Sequence, residues 1–180
     1  RDGGYLILSE EEYIEYIDKE PQGKQFIRPY MMGNELINNI PRYCFWLVEA
    51  MPNQIKKCPL LKKRIESVAK MRLASSAVET QKLAKSPHLF AQRTQHTTDF
   101  IAIPKVSSEK RLYLPIDFLD KNTIVGDNVF AVENIGLYHF GVLASSVHNV
   151  WLRAIGGRHE MRLRYSNTIV YNNLVWPNPS

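Results

Sequence analysis

The chain has 180 residues, a net charge of +5, and 44% hydrophobic and 23% charged residues. That length can bury a sizeable core without disulfide staples, and no apolar run approaches the roughly 20 residues that a membrane-spanning helix needs. Two cysteines, Cys44 and Cys58, are too few for a cysteine-based zinc site and fit a reduced, cytoplasmic protein. The opening "RDGGYLILSEEE" lacks an initiating Met, and its apolar run is too short for a cleavable signal, so the sequence reads as a piece of a longer chain.

Ser9 and Glu12 have the spacing of a capping box, in which each side chain bonds the other residue's backbone N–H. A helix is therefore predicted over about 10–19, ended by Pro21 and Gly23. "KQFIRPYMMGNELIN" reads as a strand, a turn near Gly33 and a short continuation. Pro41 introduces "RYCFWLVEA", a β-branched and aromatic run typical of a buried strand. From Pro59 to about Lys85 there is no glycine and no further proline. Leu61, Ile65, Val68 and Arg72 recur there at helical spacing, which predicts one long helix with a narrow apolar stripe.

Charge divides unevenly over this first half. Residues 1–20 are acidic (Asp2, Glu10, Glu11, Glu12, Glu15, Asp18, Glu20), whereas residues 51–93 carry Lys56, Lys57, Lys62, Lys63, Arg64, Lys70, Arg72, Lys82, Lys85 and Arg93 against only Glu66 and Glu79. Such a segment is either a solvated helix face or a surface for a polyanion, of which nucleic acid is the commonest.

The second half reads as strands: "DFIAIPKV", "RLYLPIDF" and "NTIVGDNVFAV". "GLYHFGVLASSVHNVWLRAIGG" then reads as one helix ended by Gly156 and Gly157, burying Phe140, Leu143, Val147, Val150, Trp151 and Ala154, with His148 and Asn149 off that stripe or at its border. "EMRLRYS" and "NTIVYNNLVWP" follow as strands. The expected class is α+β: a mixed or antiparallel sheet with a packed helix in the second half, and a long basic helix in the first. Residues 1–52 would form an acidic helix and strands, 53–93 a basic helical segment, and 94–180 the strand-rich part.

Motifs for catalysis are missing. No glycine-rich phosphate or dinucleotide loop follows a strand, no G-x-S-x-G elbow occurs, and the His159–Glu160 pair has Leu163 where a metalloprotease helix needs its second histidine. Asp117 and Asp120 are the best carboxylates available for a metal-dependent nuclease. "HEMRLRYS" is more suggestive. Along a strand, side chains alternate between faces, so Glu160, Arg162 and Arg164 share one and Met161, Leu163 and Tyr165 the other. The charged face is either a solvated surface with an Arg–Glu pair or a reader of bases. A carboxylate accepts from cytosine N4, and an arginine donates twice to guanine O6 and N7.

The segments "DGGYLILSEEE", "FIRPYMMGNELINNIPRYCFWL", "PKVSSEKRLYLPIDFLD", "LYHFGVLASSVHNVWLRAIGGR" and "RYSNTIVYNNLVWP" resemble the target recognition region of MmeI-like type II restriction-modification enzymes and related DNA methyltransferases. The resemblance spans nearly the whole chain. It implies a double-stranded DNA partner, no cofactor and no catalytic or metal residue in this part, and a longer parent chain. That parent would use S-adenosylmethionine to methylate adenine N6, with magnesium if it also cleaves. Base reading is carried over to Glu160 with Arg162, to Arg164 with Asn128, and to Asp127 with Lys105. Ser107, Ser108, Lys110 and Arg111, and Ser145, Ser146 and His148, suit the DNA backbone. The alternative is a spacer that grips other domains of the same enzyme without touching bases.

Overall fold

The computed structural model describes residues 2–178. The elements run β1 (Ile7–Ser9), α1 (Glu10–Lys19), β2 (Ile27–Met31), α2 (Gly33–Asn38), β3 (Arg42–Phe45), α3 (Pro52–Lys56), α4 (Pro59–Leu73) and α5 (Val78–Lys82). The second half gives β4 (Phe100–Pro104), β5 (Val106–Ser107), β6 (Asp117–Leu119), β7 (Ile124–Val125), β8 (Val129–Glu133), α6 (Leu137–Ala144), α7 (Ser146–Ile155), β9 (Gly157–His159) and β10 (Arg162–Arg164). Two compact units result. One comprises the described residues up to Tyr30 together with Pro41–Gln95, and the other Met31–Ile40 together with those from His96 onward. The class is α+β, as the sequence indicates.

In the first unit, β3 pairs antiparallel with both β1 and β2. Ser9 caps α1 through the reciprocal bonds with Glu12 that the spacing predicts. Leu6, Leu8, Phe45, Leu61 and Val68 form the core; each such side chain contributes roughly 1.5–3 kcal/mol on burial. Glu20, buried just past α1, ties the unit together. Its carboxylate accepts from the Tyr16 hydroxyl and from the backbone N–H groups of Leu60 (2.8 Å) and Leu61 (3.2 Å). It thus places a negative charge at the N-terminus of α4, where the unpaired N–H groups and the helix dipole favour one.

The single helix expected from Pro59 to Lys85 is three pieces: α4, α5 and a 3-10 turn at Leu83–Lys85. Arg72 supplies a reason. Its guanidinium is buried and donates to the carbonyls of Leu83, Ser86 and Leu89 at 2.8–3.0 Å, which requires the chain to fold back after α4. Helical spacing correctly placed Arg72 on the buried stripe, but as a clamp for the following segment.

In the second unit, β4 is the centre of an antiparallel sheet ordered β6-β4-β8. All five of its residues are buried because both faces are covered. Phe100 and Ala102 pack with Leu36 and Val129, while Ile101 and Ile103 pack with Leu143, Leu152, Leu163, Tyr165 and Val170. A second antiparallel sheet is ordered β5-β10-β9.

Several expectations are corrected here. The segment "MGNELIN" forms the helical turn α2 rather than extending a strand. "RLYLPIDF" supplies only the short β6, and "NTIVGDNVFAV" is split at Gly126 into β7 and β8. The helix expected before Gly156 is two helices, because Ser145 is extended (φ −70°, ψ 159°) and caps α7 through its hydroxyl. The break turns the second stripe. Val147 and Val150 are 73% and 66% exposed, whereas His148, Asn149 and Leu152 are buried. "NTIVY" is a π-helical turn, held by the Trp151 indole donating to the Val170 carbonyl (3.0 Å), and not a strand.

Candidate nucleic-acid interface

The continuous strand expected over 159–165 is a hairpin. His159 pairs with Arg162, so Glu160 and Met161 form a two-residue turn between β9 and β10. Glu160 has φ +56°, a left-handed conformation that such hairpin turns need and that costs a non-glycine residue about 1 kcal/mol. Met161 is therefore exposed at the tip instead of facing the core. From Arg162 onward the alternation holds. Leu163 and Tyr165 are buried, and Arg162 and Arg164 project from the opposite face into solvent.

The Arg–Glu pair of a merely solvated surface is not formed. Among the described residues, the side chains of Glu160, Arg162 and Arg164 make no ion pair and no hydrogen bond. Three charged groups stand unpaired on a hairpin whose underside is anchored in the core.

Lys105 connects this hairpin to the other sheet. It lies where the chain leaves β4 for β5. Its N–H donates to the Asn128 carbonyl, and its own carbonyl accepts from the Tyr165 N–H, both at 2.9 Å. With Arg164 opposite Val106, residues far apart in sequence (105, 127–128 and 162–164) are gathered at one edge. The Lys105 ammonium rests 4.7 Å from the Phe130 ring centre, a cation–π contact of roughly 0.5–1 kcal/mol. Asp127 and Asn128 are the exposed central residues of the turn closed by the Val129 N–H and the Gly126 carbonyl.

A cleft of about 360 Å³ opens at this edge, lined by Gly33, Asn34, Ile37, Val106, Ser107, Ser108, Arg111, Asn128 and Arg162. Among the apolar surface of Ile37 and Val106, its polar lining groups are basic, amide or hydroxyl, suited to a ligand rich in acceptors. Ser107 is buried, and its hydroxyl has no partner among the described residues. Ser108 accepts from the Lys110 N–H, and Lys110 and Arg111 extend into solvent. Arg153 of α7 supports this loop by donating to the carbonyls of Glu109 and Arg111. Neither Arg153 nor the α2 residues Gly33 and Asn34 were candidates on sequence. The only local signal was Gly33 itself, standing ahead of Asn34 and Glu35 as a helix start.

The second candidate group is not brought here. The Ser145 hydroxyl donates to the Val142 carbonyl and accepts from the His148 N–H, so both its functions are used. His148 is buried, with Nδ1 2.7 Å from the Leu143 carbonyl and Nε2 3.1 Å from the Tyr165 hydroxyl. It is a core histidine and not a phosphate donor. Burial depresses its pKa, partly offset by the Leu143 carbonyl. Ser146 alone of the three stays exposed. Asp117, at the start of β6, accepts from the Phe118 N–H, and Asp120 accepts from the Asn122 N–H, which lowers its pKa. Among the described residues no cluster of three or more His, Cys, Asp or Glu side chains is arranged to hold a metal.

Of the basic segment, Arg64 donates to Glu12 and the Tyr5 carbonyl, Arg72 is buried, and Lys62 and Lys82 pair with Glu66 and Glu79. Lys56, Lys57, Lys63, Lys70, Lys85 and Arg93 remain exposed and without an ion pair among the described residues.

This α+β fold raises unpaired charges and amides beside a basic loop, a surface suited to binding an acceptor-rich ligand. The match to known proteins is specific: the model of the MmeI target recognition domain covers residues 1–178, and the chain belongs to that family. It is 34% identical over 176 residues to DNA methyltransferase A of Bacillus subtilis (strain 168), covering 98% of this chain and 20% of that protein. It also superposes with a TM-score of 0.90 and 38% identity on the type IIL restriction-modification enzyme MmeI, solved in complex with DNA, covering 99% of this chain and 24% of that one. The chain thus spans only a fifth to a quarter of these relatives. Among the described residues no helix is long and apolar enough to cross a membrane.

Proposed function

We propose that the chain is the duplex-DNA recognition domain of a longer, cytoplasmic, site-specific adenine-N6 methyltransferase, and that it sets the target sequence by major-groove readout. The observation that carries this is the hairpin bearing Glu160, Arg162 and Arg164 unpaired, beside Asn128, Asp127 and Lys105. Glu160 accepts from cytosine N4 while Arg162 donates to guanine O6 and N7 of the same pair. Arg164 with Asn128, and Lys105 with Asp127, read two further pairs. Ser108, Lys110 and Arg111 hold phosphates, and the exposed lysines of the first unit add affinity without sequence information.

S-adenosylmethionine would supply the methyl group in the parent chain. The residues here do not fit it: among those described, no glycine-rich loop follows a strand, and Gly156–Gly157 simply join α7 to β9. No step is therefore assigned to this chain beyond holding and orienting DNA. The adenine would be flipped into a catalytic domain elsewhere in the polypeptide.

The test is duplex binding as a function of salt. Affinity should fall steeply, with log K linear in log salt and a slope of about −0.9 per phosphate contacted. Absence of binding at low salt would favour the spacer reading instead.

A further inference from the structure

α6 carries two features that the rest of the fold does not use. Leu137, in its first turn, is 80% exposed, and Gly141 stands exposed in its interior. Glycine in a helix interior is unfavourable relative to alanine. Nothing within this domain calls for it there, since a Cβ at Gly141 would meet no atom within 4 Å. Gly141 lines an open groove of about 470 Å³ between α6, the start of α7 and the segment 174–177. Leu137, Tyr138, Val142, Val147 and Val175 give it apolar walls, and no Lys, Arg, Asp or Glu lines it among the described residues. Val150, one turn beyond Val147 and also exposed, extends the same face.

The groove is held open by contacts of its own. The Tyr138 hydroxyl donates to the Pro177 carbonyl, and the Trp176 ring packs edge-to-face with His139 and Tyr171. Exposed apolar side chains gathered on one such face mark a contact with something apolar. DNA does not fit, because its phosphates need the cations that this surface lacks. A partner strand does not fit either: the lining residues lie on two helices and an irregular segment, none of which offers a sheet edge. A helix laid into the groove does fit, and Gly141 is where its backbone comes closest. The relatives indicate where such a helix comes from. This chain spans 20% of DNA methyltransferase A and 24% of MmeI, so most of each polypeptide lies outside the matched domain.

We propose that the groove seats the apolar face of a helix from the remainder of the parent polypeptide, and so fixes the recognition domain against the rest of the enzyme. It is a second surface, uncharged, and built from elements other than the hairpin and the basic loop. This rests on the reading of the chain as part of a longer methyltransferase. A second copy of this chain is the competing occupant.

The experiment places a photo-crosslinking benzophenone amino acid in place of Val147 in the parent enzyme and identifies the joined peptides by mass spectrometry. The expected product is an intramolecular crosslink to an apolar helical segment outside residues 1–180. Gly141→Leu fills the groove from a position whose Cβ meets nothing in this domain, and it should abolish that crosslink. The same variant should keep the parent's base preferences and slow methylation by about tenfold or more. A crosslink between two polypeptides assigns the face to a second copy and overturns the inference. So does the absence of a crosslink in an enzyme that still binds and methylates its site, or a Gly141→Leu enzyme that crosslinks and methylates as before. A parent that forms the intramolecular crosslink but selects no DNA sequence sinks the recognition reading and leaves this docking surface in place.

Discussion

Glu160 is the residue where conformation and proposed function meet. A carboxylate at φ +56° is an unfavourable choice for the first position of a tight hairpin turn, where glycine is unstrained. Glu160→Gly should therefore leave stability unchanged or raise it by up to about 1 kcal/mol, the relief of the left-handed strain less the added flexibility of the unfolded chain. It should also erase discrimination at one base pair; denaturant midpoints and methylation-site mapping in the parent enzyme check the two halves. Reversing both charges of the pair, Glu160→Lys with Arg162→Asp, exchanges donor and acceptor. It should move the preferred pair from C·G to G·C at a single position. An unchanged site after that double substitution would remove these two residues from base reading.

At the scale of elements, polar side chains join pieces that the hydrophobic pattern leaves separate. Glu20 takes the Tyr16 hydroxyl from α1 and two N–H groups from the start of α4. Burial and this neighbouring carboxylate push the Tyr16 pKa up, so the phenol stays a donor. Glu20→Ala leaves two buried donors and the partly buried Leu60 N–H without an acceptor and should destabilise the first unit by about 3 kcal/mol, measurable in urea. Arg72 plays the same part after α4, and Ser145 between α6 and α7. Helical spacing reported correctly which residues on α4 face inward. It was silent on where the helix stops, because carbonyls eleven to seventeen residues downstream impose the fold-back.

For the whole molecule, pH and salt act on different groups. Folded His148 is neutral, with its pKa depressed below the ordinary 6.5 by burial. His88 shifts the same way, through burial and the nearby Arg72 charge. As pH drops below 6.5 the unfolded chain binds protons that the folded chain resists, so stability is complete above that value and declines below it. The lowered carboxylates, Glu12 among them, add their own loss only at pH values below their ordinary 4.5. Urea midpoints between pH 7.5 and 5.5 should therefore fall, and His148→Gln should reduce the slope. Salt should leave these midpoints nearly unchanged while weakening DNA binding strongly, as the proposed contacts of the exposed lysines with phosphates require.

By itself, the sequence determined the α+β class, the Ser9–Glu12 cap, the strand at β4, and the family to which the chain belongs. All of these are encoded within a few residues or in contiguous blocks. It also placed Leu163 and Tyr165 inward with Arg162 and Arg164 outward, because strand alternation is a local rule. The hairpin at Glu160 was decided by the pairing of His159 with Arg162, the break at Ser145 by a capping bond, and the retirement of His148 into the core by Leu143 and Tyr165. Only the tertiary structure brought Gly33 to Asn128 and Lys105 between Asn128 and Tyr165. Those bonds link residues from distant parts of the chain, and no periodicity or spacing carries a contact made at that distance.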